Sequence, residues 1–250
     1  MTIATLLAAQ AALHAQIQAR TVELGYDPAK VEPIYDGVVD AEAYLAAKPK
    51  VMWVLKEPYD DFDDDGTPYG GGWTMFTDFE SDGKSLADSL NRNAALRNVT
   101  YASYAIQNDA ASYAELPWIT DSPKEYERAI KSVAYANIGK MPGQTTTPTE
   151  HLREICKEWK DILFRQIELY DPEVIIVCGT DTLQMLNADF GLDLSKPAAT
   201  IARGKAVVDV HDWRGKRLLW APHPAAHIRP EDWMDAVIAT ARKQWACEVC

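Results

Sequence analysis

Three polar residues stand where an apolar run of the chain gives out. Glu57 follows Val51-Met52-Trp53-Val54-Leu55, Asn137 closes the run from Val133, and His223 opens His223-Pro224-Ala225-Ala226 just past Leu218 to Ala221. Short continuous apolar runs read as buried strands, and the loops that follow them carry a disproportionate share of chemistry. Together the three types suit the breaking of a bond that leaves positive charge on one fragment and negative charge on the other. The Glu57 carboxylate can orient water and offset a developing cation. A neutral His223 can donate a hydrogen bond to an atom gaining negative charge, and Asn137 offers both a donor and an acceptor to the edge of a ligand. Each has a structural alternative: Glu57 as half of an ion pair with Lys56 or Arg203, Asn137 as a turn cap, His223 as a loop-fixing histidine.

The elements that must position them follow from periodicity and caps. The pattern predicts helices over 2–24, near 86–114, and over 124–130, 149–170, 181–190 and 230–245. Strands are predicted over 51–55, 133–137 and 174–178, near 206–211, and over 217–221. Strands alternating with long helices imply an α/β fold, a three-layer α/β/α sandwich with a mostly parallel central sheet. In such sheets ligands bind beyond the carboxyl ends of the strands, so Glu57, Asn137, Gly179 and His223 should converge on one side.

At 250 residues the chain suits a single domain, 1–250, opened by an N-terminal helix. The segment from Met1 to Ala15 lacks the basic start of a signal peptide, and no apolar stretch approaches the roughly 20 residues of a membrane span. With four cysteines in all, the expectation is a cytoplasmic protein. The terminal Cys247/Cys250 pair lacks a second ligand pair, so no zinc site is expected. Net charge is -12, which argues against long tracts of phosphate contact. The distribution is uneven: between Arg203 and Arg229 the basic residues 203, 205, 214, 216, 217 and 229 face only Asp209 and Asp212, whereas 56–88 is strongly acidic. Asp61-Phe62-Asp63-Asp64-Asp65-Gly66 copies the first half of a calcium loop, but Gly72 stands where the bidentate Glu belongs, so a solvated acidic loop is expected and no metal.

The order of several short motifs resembles the uracil-DNA glycosylase superfamily. Asn137 to Lys140, Pro142-Gly143, Thr147 to Glu150, Pro172 to Ile176, Arg203-Gly204 and His223 to Ala226 follow in the order found in its iron-sulfur branch. Lys56-Glu57-Pro58-Tyr59 departs from that branch and is similar to the Asp-Pro-Tyr of the uracil-specific founding branch. Of the cluster cysteines the resemblance implies, only Cys156 is matched; Met141 occupies another's place and the N-terminal pair has no counterpart. One thiolate cannot hold a cluster that wants four, so no cofactor is expected.

What the resemblance implies is hydrolysis of the N-glycosidic bond of uracil, or a related damaged base, in DNA, with the base flipped out of its stack. Glu57 and His223 are then the catalytic pair. Asn137 would read the N3-H and O4 edge of uracil, Tyr59 would crowd C5 against thymine, and Trp73 or Phe76 would stack on the base. Arg203, Lys205, Arg217 and Arg229 would meet phosphates of a partner that is DNA, single-stranded or with its base flipped. Two rivals remain: a member of the same fold that binds nucleic acid or a nucleobase without catalysis, and a small-molecule enzyme on a nucleotide-binding fold. Against the latter, no glycine-rich phosphate loop follows Val51 to Leu55.

Overall fold

The computed structural model describes residues 1–58, 69–74, 90, 93–143 and 147–242. Tyr59, Phe76, the acidic loop at 60–66 and the Cys247/Cys250 pair lie outside the described residues.

Six strands form one sheet: β1 (Val51–Leu55), β2 (Ala134–Asn137), β3 (Val174–Cys178), β4 (Ala199–Arg203), β5 (Ala206–Trp213) and β6 (Lys216–Ala221). Their order is β2-β1-β3-β6-β5-β4. β2, β1, β3 and β6 run parallel, β5 runs antiparallel to β6, and β4 runs antiparallel to β5 and so in the direction of the first four. β1, β2 and β3 are buried almost throughout because apolar side chains leave them on both faces.

Helices cover both faces. Val51, Trp53, Ile176 and Leu219 point into one apolar cluster, under α3 (Ala94–Gln107), α4 (Pro123–Lys131) and α7 (Pro230–Arg242). Met52, Val54, Ile175 and Val177, one residue out of phase, point into the other, under α1 (Ile3–Glu23), α2 (Ala41–Ala46), α5 (Thr149–Tyr170) and α6 (Thr180–Phe190). The period of two along each strand divides the core into these halves. Side chains of Thr2, Asp40 and Asn93 cap α1, α2 and α3 by accepting first-turn N–H groups. Among the described residues no helix is long and apolar enough to cross a membrane.

The structure differs from the sequence expectation in three places. α3 is confined to 94–107: Asn93 caps its start, and left-handed Asp109 follows its end. The sequence pattern misses α2, which is only six residues long. It also misses β4, where Ile201 alone is buried and the alternation that marks a strand is too thin to see. The β5–β6 hairpin turns through Arg214 and Gly215, both at positive φ, a backbone shape that matches strand twist.

The register fixes which loops meet. One row crosses the sheet through Ala136, Val54, Val177, Trp220, Asp209 and Thr200. Three residues beyond that row, on the carboxyl side of the parallel strands, lie Glu57, His223 and Arg203; Asn137 is one beyond it. The strand order reverses between β1 and β3, which is where open α/β sheets leave a crevice for ligands.

Candidate active site

The loop after β1 is zipped to the loop after β2. Leu55 O accepts from Ile138 N, Lys56 O from Gly139 N, and Pro58 O from Gly143 N, at 2.9, 2.7 and 2.7 Å. This clamp turns the Glu57 side chain inward, leaving it 3% exposed. Two glycines make its berth: a Cβ on Gly143 would collide with Glu57 Cγ, and one on Gly139 would lie 3.1 Å from Glu57 Cβ. Glu57 Oε1 is held by the Thr147 hydroxyl and, at 3.3 Å, by Lys56 Nζ, which also donates to Thr147 Oγ1 at 2.8 Å. Oε2 is buried and has no donor among the described residues. Burial pushes the carboxyl's pKa up from its ordinary value, against the pull of the Lys56 charge.

His223 enters from β6, two strands away from β1 across β3, so roughly 10 Å separates the two loops at ordinary strand spacing. Its tautomer follows from one contact. The backbone N–H of Ala225 donates to His223 Nδ1 at 3.2 Å, and since that N–H can only donate, the neutral ring carries its proton on Nε2. Burial, then the charge of Lys56, lowers the His223 pKa. The loop is pinned by Asn98 of α3, whose Nδ2 donates to Pro224 O at 2.7 Å, and by Trp233 of α7, whose Nε1 donates to Pro222 O at 2.9 Å.

Asn137 is fixed through its backbone. Asp36 Oδ2 accepts from Asn137 N, and Lys140 Nζ donates to Asn137 O. Lys140 and Asp36 form an ion pair at 2.8 Å with side chains 0% and 2% exposed. Gln166 of α5 completes it, accepting from Lys140 at 2.8 Å and donating to Asp36 Oδ1 at 2.6 Å. No hydrogen bond to a described residue holds the Asn137 amide itself.

Trp73 is half-buried and accepts through its carbonyl from Tyr35 N at 3.1 Å. Its strip, 70–74, runs beside 31–35, whose Ile34 N donates to Lys140 O at 2.7 Å. Trp73 thus belongs to the flank of the site next to β2.

The four basic residues divide. Arg203 and Lys205 occupy the exposed β4–β5 turn, whose Gly204 sits so close to α7 that a Cβ there would collide with Asp232 Oδ2. Arg229, also exposed, pairs with that Asp232 at 3.2 Å. These three share the carboxyl edge with His223. Arg217 does not: it lies beside Val174 at the opposite edge and pairs with Asp212 at 3.1 Å. Its nearness to His223 in sequence misleads because the whole of β6 separates the two.

The residues present do not fit an iron-sulfur cluster. Met141 is buried, with Thr21 Oγ1 donating to its sulfur at 3.6 Å. Burial pushes the Cys156 thiol up to about 11, which opposes the thiolate a metal needs. Among the described residues no group of His, Cys, Asp and Glu converges as a metal site. Purified protein is expected to be colourless; iron at one cluster per chain with a visible charge-transfer band would overturn this.

Asp36, Gln166 and Asn98 are the supporting groups that sequence reasoning did not place, whereas Lys56 makes with Glu57, at 3.3 Å, the ion pair weighed as its structural alternative. Asp36 lies 101 residues from Asn137, in a stretch without periodicity, and no local signal marks it. Compared with known proteins, the chain matches no family model, and no curated protein matches it.

Proposed function

We propose that the protein is a DNA glycosylase of the uracil-DNA glycosylase type, hydrolysing the bond between uracil and deoxyribose. The observation that carries the reading is the pairing, at one sheet edge, of a buried carboxylate, one oxygen of which has no donor among the described residues, with a neutral imidazole carrying its proton on Nε2. The motif order from Asn137 to Ala226 supports it, as does the convergence of Glu57, Asn137 and His223 at the strand-order reversal.

In this reading the base leaves with the electron pair of the glycosidic bond. Glu57, ionised, faces the positive charge left on the sugar and orients the water whose oxygen bonds to the sugar carbon, taking up its proton. His223 Nε2 donates a hydrogen bond to the uracil oxygen that gains charge; Lys56, whose charge reaches both groups, reinforces the field. The Asn137 amide meets N3-H and O4 of the flipped base.

The direct test is incubation with single-stranded uracil DNA, read for an abasic site. Asn137→Asp is the specific probe, since it replaces the donor at O4 with a second acceptor. Leaving that edge unpaired costs about 1–3 kcal/mol, roughly one to two orders of magnitude in excision rate. Parental excision by Asn137→Asp, with an unchanged circular dichroism melt, would show that this amide does not read the base.

A second reading has its own observation. Glu57 Oε1 is already engaged by Lys56 and Thr147, as in a structural ion pair, which suits a nucleobase-binding protein of the same fold without catalysis. Binding of uracil DNA with no abasic product would favour it.

A further inference from the structure

Outside the site described above, α5 and α6 enclose a groove of about 480 Å³. Thr149, Arg153, Lys157 and Lys160 line it along one face of α5, and Gln184 and Met185 line it from α6. The spacing 149, 153, 157, 160 keeps these side chains on one helix face. Its one acidic lining residue, Asp189, is taken up by Lys160 at 2.6 Å. Arg153 and Lys157 are exposed and make no ion pair with a described residue. In a chain of net charge -12, two cations one helical turn apart, unpaired among the described residues and facing a concavity, are a place where an anion is favoured.

The groove adjoins the candidate site. Its floor includes Cys156, which feels the charge of Glu57. Ile155, the residue before it, packs against the same Gly139 that berths Glu57. Its upper end is Thr149, two residues after Thr147, the hydroxyl partner of Glu57.

The geometry points to this groove as the seat of a backbone phosphate of the strand whose base enters the Glu57–His223 site, with Arg153 and Lys157 as its cations and the Gln184 amide as a further donor. This rests on the glycosylase reading for the identity of the strand, while the phosphate chemistry stands on the groove alone. A planar guanidinium and a point-charge ammonium on one anion suit phosphate, for which Arg supplies a two-pronged contact. It also places strand contact on the α5 side, away from the Arg203 turn.

The test uses the full chain and a short single strand without uracil, so that binding is read independently of excision. Arg153→Gln/Lys157→Gln, both exposed, should retain the parental melt. It is expected to bind the strand about tenfold more weakly at low salt, with a slope of log affinity against log salt shallower by about 0.7, the value for one phosphate no longer neutralised on a single strand. Arg217→Gln, at the opposite edge, should bind like the parent. Parental affinity and slope in the double variant overturn the proposal, as does a parent that binds no strand at low salt. Titration with inorganic phosphate separates the sources: tight phosphate binding lost in the double variant, with strand binding intact, would make this a free-phosphate site and overturn the strand assignment. Loss of strand binding in the double variant from a parent that excises no uracil would remove the glycosylase reading and leave the groove standing.

Discussion

Glu57→Gln is expected to lower uracil excision by about 10²- to 10⁴-fold, the range associated with a positioned acid or base, while melting no lower than the parent. The two halves of this expectation have one cause. The side chain sits in a berth made by Gly139 and Gly143, one oxygen paired and the other buried without a donor among the described residues. Holding a charge there is costly, which is why burial raises the Glu57 pKa. Because the folded state binds that proton more tightly than the unfolded chain, the associated stability is complete below the unfolded value and is lost as pH rises through the folded one. At neutral pH the parent therefore carries a destabilising carboxylate, and an amide of the same shape removes it. Lys56, 23% exposed, keeps Thr147 and water as partners.

The same groups set the pH profile. Catalysis requires Glu57 ionised and His223 neutral, so both active forms are deprotonated and excision should fall on the acid side. The limb lies between a carboxyl raised from its ordinary value and an imidazole lowered from its own. In Glu57→Gln the residual activity should keep only the imidazole's contribution. Parental excision by this variant, or an acid limb unchanged by it, would take Glu57 out of the chemistry.

What could be read in the sequence was what local pattern encodes. β1, β2 and β3 are apolar along their length, so their ends, and with them Glu57, Asn137 and Gly179, could be placed; His223 followed from the run that ends β6. Charge counting failed at Arg217 because a tally along the chain is blind to direction: β6 starts at one edge of the sheet and delivers His223 at the other. The cations of the α5–α6 groove escaped notice because 149–170 carries acidic residues on its other faces, and only packing against α6 separates the two. Asp36 was invisible because its partner, Lys140, lies 104 residues away. Lys140 itself stood out only as the last residue of a short motif, with nothing to indicate complete burial.

Burial makes Lys140 the position with the largest expected effect on stability. Lys140→Met preserves side-chain length but leaves Asp36 as a charge with its side chain 2% exposed and no cation. Removing one partner of such a pair costs about 3–5 kcal/mol, since the remaining ion keeps its desolvation penalty without compensation. That is a large share of the roughly 5–15 kcal/mol that holds a folded domain together, and the urea midpoint should fall accordingly at constant slope. Asp36→Asn/Lys140→Met should recover part of the loss. With both charges gone, the carbonyl oxygen of the substituted amide can still accept from Asn137 N or from Gln166 Nε2, as the Asp36 carboxylate does in the parent. The partial rescue distinguishes an ion pair from simple packing, because two independent core defects would add. Asn137 supplies the functional readout: its N–H and carbonyl are both tied to this pair. The double variant, folded but with β2's end less tightly held, should show a higher KM for uracil DNA with a smaller change in kcat. A Lys140→Met protein with the parental urea midpoint, or a double variant less stable than the single one, would mean that the buried pair does not hold this end of the sheet.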